Sequence, residues 1–181
     1  ATIYYMKYYV NRYDMTSLFL FICTLSSLLA QPLILNLSKK VKMHLLMILG
    51  FIGGSLSMIL MSLADRSLLI LVFCNILYGI STAFPANLVY VYAAELSERI
   101  SIKMKNNCNA VIHSLLGLAA KIGISISGAI IALILHVTSY IPNTTQNSSS
   151  LLGIQITFIL VTSLCYLIAA LFVYISYKHD Y

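Results

Sequence analysis

Charge is what this chain has least of. Only 9% of its 181 residues are Asp, Glu, Lys or Arg, 60% are hydrophobic, and the mean hydropathy is +0.93. Soluble domains carry about a quarter charged residues, so an ordinary soluble fold is excluded. Negative charge is scarcest. The five carboxylates, Asp14, Asp65, Glu95, Glu98 and Asp180, fall in loops or tails between apolar runs. Catalytic pairs are lacking too: no run carries a His/Glu, Ser/Lys or paired-Asp arrangement of the intramembrane hydrolytic kind, so an enzyme is not expected. Cys23, Cys74 and Cys165 lie inside apolar runs and Cys108 at the start of one, without metal-ligand spacing. They read as small packing residues, and no cofactor or metal is expected. The net charge of +6 comes from short clusters between apolar runs, not from a stripe, which argues against nucleic acid as a partner. A signal peptide is missing as well: Ala1 leads straight into the tyrosine-rich run 4–9. A start without methionine, in what reads as the tail of a hydrophobic segment, points to a fragment.

What is present is hydrophobic length. Five runs, 15–35, 43–64, 67–94, 108–137 and 151–177, are long enough to cross a bilayer as helices, and 1–14 reads as the end of an incomplete sixth. The lipid bilayer is therefore the first partner. Lys39, Lys40 and Lys42 share one loop, Arg99, Lys103 and Lys105 another, and Lys178 lies in the tail. Alternating spans put all three on one side, which the positive-inside rule makes cytoplasmic, with 140–150 outside. A multi-pass protein of the cell membrane with a cytoplasmic C-terminus is expected. Small residues four apart (Gly50 and Gly54, Gly79 and Ala83, Gly123 and Ser127) allow close helix approach. Pro85, with Asn87 nearby, is expected to loosen a turn of the third span. Two sequons, at Asn143 and Asn147, are assigned no glycan.

One cation breaks the pattern. Lys121 is the only formally charged residue in the run 108–137. At helical spacing it shares a face with Ser114, Gly117, Ser125 and Gly128, so the charge is expected to face a bundle interior rather than lipid. An intramembrane ionisable residue on a polar, small-residue stripe reads as a transport site, the other reading being a lysine paired with a carboxylate for packing. His113 lies two turns earlier. Of Tyr4, Tyr5, Tyr8 and Tyr9, most read as an interfacial anchor belt.

Several segments resemble the glycoside–pentoside–hexuronide cation symporters, the melibiose permease group of the major facilitator superfamily. Tyr-Ile-Pro-Asn-Thr-Thr-Gln at 140–146, followed by Leu151-Leu152-Gly153-Ile154-Gln155, resembles that group's G-Y-x-P-N-x-x-Q and L-L-G-[IM]-Q. Counting back without a gap, Lys121-Ile122-Gly123 falls on the K-x-G of its eleventh helix. Ala94-Glu95-Leu96-Ser97-Glu98 and Lys103 fall on A-D-x-x-D-Y-G-E-x-K. Thr82-Ala83 and Pro85 resemble the tenth helix, and the run 4–10 resembles the Y-Y-F-x-Y-V that ends the seventh. The departures are Arg99-Ile100-Ser101 in place of Y-G-E, Asn107 and Asn109 in place of R-x-E, and Ser139 in place of glycine. Leu116 and Gly117 stand where the group has polar residues.

The resemblance implies an all-α membrane fold: helices seven (partial, 1–14) through twelve of a major facilitator transporter, its C-terminal half. It implies cation-coupled symport, driven by Na⁺ or H⁺, of a sugar or glycoside, with the N-terminal half of the same transporter as partner. Lys121 becomes the cation-coupling residue. Ser114, Gly117, Ser125, Gly128, Tyr5 and Asn87 become substrate-cavity candidates, and Glu95, Glu98, Arg99 and Lys103 a cytoplasmic gate. Two alternatives stay open: a transporter of lipid or another non-sugar solute on the same fold, and a non-transporting multi-span interaction protein.

Overall fold

The computed structural model describes residues 1–64 and 67–179, and every regular element among them is helical. The turn at Asp65-Arg66 and the carboxylate of Asp180 lie outside the described residues. Helices are what such apolar runs must form, because a bilayer leaves backbone polar groups no partner but each other. Five are long and apolar enough to cross a membrane: Tyr13–Ser38, Met43–Ser62, Leu68–Met104, Asn109–Val137 and Ser148–Lys178. They are called here the first to fifth spans. Before them, a turn of α-helix at Thr2–Tyr4 continues as a π-helical turn at Tyr5–Tyr9.

Two ends differ from the expected ones. The first span runs past the expected end at 35 to Ser38, and Gln31-Pro32 does not end it. Its helix Thr16–Leu29 is followed across Ala30 by a second, Gln31–Ser38, with Pro32 in the opening turn. There the missing N–H of proline costs nothing. The third span continues past the apolar run to Met104, because Glu, Leu, Arg and Lys are good helix formers whether or not they are apolar. It ends where Lys105 turns left-handed at φ 52°. Glu95 and Glu98 therefore sit on a helix rather than in a loop. Pro85 does not break that helix. It removes the donor for the Ser81 carbonyl. Nearby, the Thr82 hydroxyl donates to the Tyr78 carbonyl at 2.9 Å, and the Asn87 amide donates to the Ala83 carbonyl at 2.6 Å.

The second span packs on the third and the fifth, and the third also packs on the first. Lipid tails are as apolar as leucine, so close backbone approach rather than water exclusion holds such contacts. Two glycines mark the approaches. A Cβ on Gly79 would lie 2.5 Å from the Cys23 carbonyl oxygen of the first span. One on Gly50 would lie 2.5 Å from Pro85 Cδ and 2.7 Å from the Ser81 oxygen, so the second span crosses the third at its proline. One buried cluster joins Tyr5, Met6, Phe19, Met58, Leu71 and Phe158, and a second gathers Ala30, Ile34, Leu46, Met47, Ala83 and Leu88. A second π-helical stretch, Ile156–Val161 in the fifth span, meets the first π turn where the Tyr5 and Phe158 rings stack at 4.5 Å.

The fourth span is different. None of its residues is buried, and a Cβ added to Gly117, Gly123 or Gly128 would meet nothing within 4 Å. It is tied to the rest near its two ends. The Cys108 N–H donates to Ser101 Oγ at 2.9 Å, while Leu135 packs on the first cluster. Thr138 lies against Gly153, and the Ser150 hydroxyl donates to the Thr138 carbonyl at 2.6 Å.

Candidate functional site

Lys121 stands in the middle of this span, and residues 117–130 are exposed without a break. The expectation that its face points into the bundle is not met among the described residues. Ser114, Gly117, Ser125 and Gly128 share that helix with it, all exposed. The two hydroxyls donate to their own helix, Ser114 to the Val111 carbonyl at 2.8 Å and Ser125 to the Lys121 carbonyl at 3.0 Å. Among the described residues no carboxylate pairs with the Lys121 ammonium. His113 is exposed on the same helix. The other two cavity candidates lie on other elements. Tyr5 is 1% exposed, stacked between Tyr9 and Phe158 in the core. Asn87 is half-buried on the third span with its amide held by the Ala83 carbonyl.

The gate candidates separate into two groups. Glu95 and Arg99, one helical turn apart, line a cavity of about 420 Å³ between the second, third and fifth spans. Glu98 and Lys103 are exposed and do not line it. No ion pair joins the four among the described residues. The cavity brings in residues that the sequence did not single out for a site, Lys42 and His44 from the start of the second span and Tyr177 from the end of the fifth. The Lys42 ammonium donates to the Tyr177 hydroxyl at 3.0 Å, and the His44 ring stacks on Tyr177 at 3.5 Å. No local pattern announces such a set, because it is drawn from three spans. A smaller cavity, about 210 Å³, is lined by Cys23, Asn75, Tyr78 and Thr162 among others. Beside it the Tyr78 and Tyr166 hydroxyls share a hydrogen bond at 2.9 Å, and the buried Asn75 amide donates to the Phe19 carbonyl at 2.7 Å. Hydropathy offered only one signal for these groups, polar side chains inside apolar runs.

At the opposite end from the basic loops, 140–146 is latched onto the first segment. The Tyr140 hydroxyl donates to that of Tyr8 at 3.0 Å, the Asn143 N–H donates to the same oxygen at 3.0 Å, and Lys7 donates to Asn143 Oδ1 at 2.7 Å. Burial first, then the hydrogen bond and charge of Tyr8, push the Tyr140 phenol above its ordinary range, so it stays protonated. The Gln146 amide folds back to donate to the Ile141 carbonyl at 2.5 Å. Tyr8, one of the four tyrosines of which most read as an anchor belt, is thus a structural partner of this loop.

All four cysteines are free, and no group of three or more potential metal ligands gathers among the described residues. The family described as MFS/sugar transport protein matches the chain over residues 1–180. No solved structure matches it.

Proposed function

Because the chain belongs to the MFS/sugar transport protein family, we propose that it works as part of a secondary active transporter in which Na⁺ or H⁺ drives symport of a sugar or glycoside by alternating access. The observation that carries this reading is Lys121: a cation at mid-span, on a face of small and hydroxyl-bearing residues that nothing among the described residues covers. A lone ammonium in hydrocarbon loses its proton or takes a carboxylate. We assign the carboxylates to an N-terminal half of the same transporter, docked on the open face of the fourth span, with the sugar between the halves. With the cation site empty, Lys121 neutralises them. The arriving Na⁺ or H⁺ takes over as counter-charge, and each arrangement of the cluster favours a different conformation. In this reading the ends bearing Lys39 to Lys42, Arg99 and the tail are cytoplasmic, and the protein is a multi-pass component of the cell membrane.

The test is Lys121→Ala in the complete transporter. Cation-driven accumulation of the transported sugar should fall at least about tenfold, the change that loss of one charge–charge contact of about 1.4 kcal/mol gives, while sugar exchange without a gradient persists. Undiminished accumulation at normal expression would remove Lys121 from the mechanism. A cargo panel of sugars, glycosides and lysolipids separates the sugar reading from the lipid alternative.

A further inference from the structure

The 420 Å³ cavity at the basic end stands apart from the Lys121 face, and its lining is graded along the helix axes. Lys42 is the residue before the second span begins, Arg99 lies near the end of the third, and Ser176 near the end of the fifth. Met47, Phe172 and Val173 line the same cavity from positions three to five residues deeper, which at 1.5 Å rise per residue is roughly 5–7 Å further into the membrane. The two basic side chains, Lys42 and Arg99, lie toward the outer end of the cavity, and Glu95, one turn deeper than Arg99, shares the inner part with Met47, Phe172 and Val173.

The cavity also has unmet hydrogen-bonding capacity. The second span has no side-chain cap, so its first N–H groups, at Met43 and His44, lack an intrahelical partner and carry the positive end of the helix dipole. His44 Nε2 is buried without a hydrogen-bond partner, while its ring is held flat against Tyr177. Against two basic side chains, Lys42 and Arg99, the cavity holds one carboxylate, Glu95. Lys39 and Lys40, exposed in the adjoining turn, add to the field.

We propose that this cavity binds a phosphate-bearing anion, with the headgroup of an anionic phospholipid of the adjoining leaflet as its source. The phosphate sits among Lys42, Arg99 and the start of the second span, and the first carbons of the acyl chains lie on Met47, Phe172 and Val173. Bound there, it bridges three spans.

The experiment is native mass spectrometry of the purified chain, offered equal amounts of phosphatidylglycerol and phosphatidylcholine. One phosphatidylglycerol should be retained with a preference of roughly thirtyfold, the factor that two cations near a membrane surface supply. The double variant Lys42→Gln/Arg99→Gln should lose that preference, and Lys39→Gln/Lys40→Gln should keep most of it. Ser176→Glu, which puts a carboxylate into the wall without removing a packed side chain, should also lose it while helicity by circular dichroism stays unchanged. Millimolar inorganic phosphate distinguishes the sources: no displacement supports the lipid, whereas full displacement moves the same anion site to a soluble phosphate and overturns the lipid assignment. Equal retention of the two lipids by the unaltered chain, or undiminished preference in Ser176→Glu, would overturn the site itself.

Discussion

Ser139 closes the fourth span at φ 54°, a left-handed conformation that costs an L-residue about 1–2 kcal/mol and costs glycine nothing. The sequence resemblance has glycine at this position, the residue that takes such a backbone conformation most freely. Ser139→Gly should stabilise the chain by about 1 kcal/mol, read as a rise in thermal unfolding temperature in detergent. Ser139→Val should lower it. Asn143 is also left-handed, at φ 59°, and asparagine tolerates this well. Asn143→Gly therefore isolates the loss of the Lys7 bond, whereas Asn143→Ala adds backbone strain. The glycine variant should be the less harmful in the same assay.

Helix crossings in this bundle are decided by single glycines, and pairs of small residues in sequence overstate them. Gly50 and Gly54 look alike in the primary structure. A Cβ at Gly50 would press on Pro85 and the Ser81 carbonyl, while one at Gly54 would meet Thr82 Cγ2 at an ordinary 3.4 Å. Gly50→Ala and Gly79→Ala should each destabilise by about 1–3 kcal/mol through overpacking, and Gly54→Ala should be near neutral. Chemical denaturation of the three variants in detergent checks this, and equal effects at Gly50 and Gly54 would refute the crossing at the proline. The spans themselves were legible, since twenty apolar residues in a row leave one solution. The extension of the third span to Met104 was not, because hydropathy marks where a membrane ends, not where a helix does. Nor were the π turns, which leave hydropathy unchanged. Of the candidate site, Glu95 was visible through a motif match, and Arg99 only as a charge beside it where the motif departs. Lys42, His44 and Tyr177 join them only through tertiary packing, and the exposure of residues 117–130 around Lys121 depends on neighbours that no local pattern encodes.

At the scale of the molecule, the orientation proposed from the basic loops can be checked directly. With the four native cysteines replaced, an impermeant maleimide applied to intact cells should label Gln146→Cys and spare Lys40→Cys; the reverse pattern would invert every span. The fourth span, tied near its ends and bare between them, also bears on how the protein is made. A helix whose middle touches no other described residue must be held in the bilayer largely by partition at the moment it leaves the insertion machinery. Its fourteen Ile, Leu and Val residues gain roughly 4–8 kcal/mol on insertion scales, against about 3 kcal/mol for one central lysine. The margin admits one charge, and a second brings it to about zero. Ile124→Lys should exhaust it, leaving the helix in the aqueous phase and the 140–146 loop on the wrong side, which a glycosylation tag placed in that loop would report.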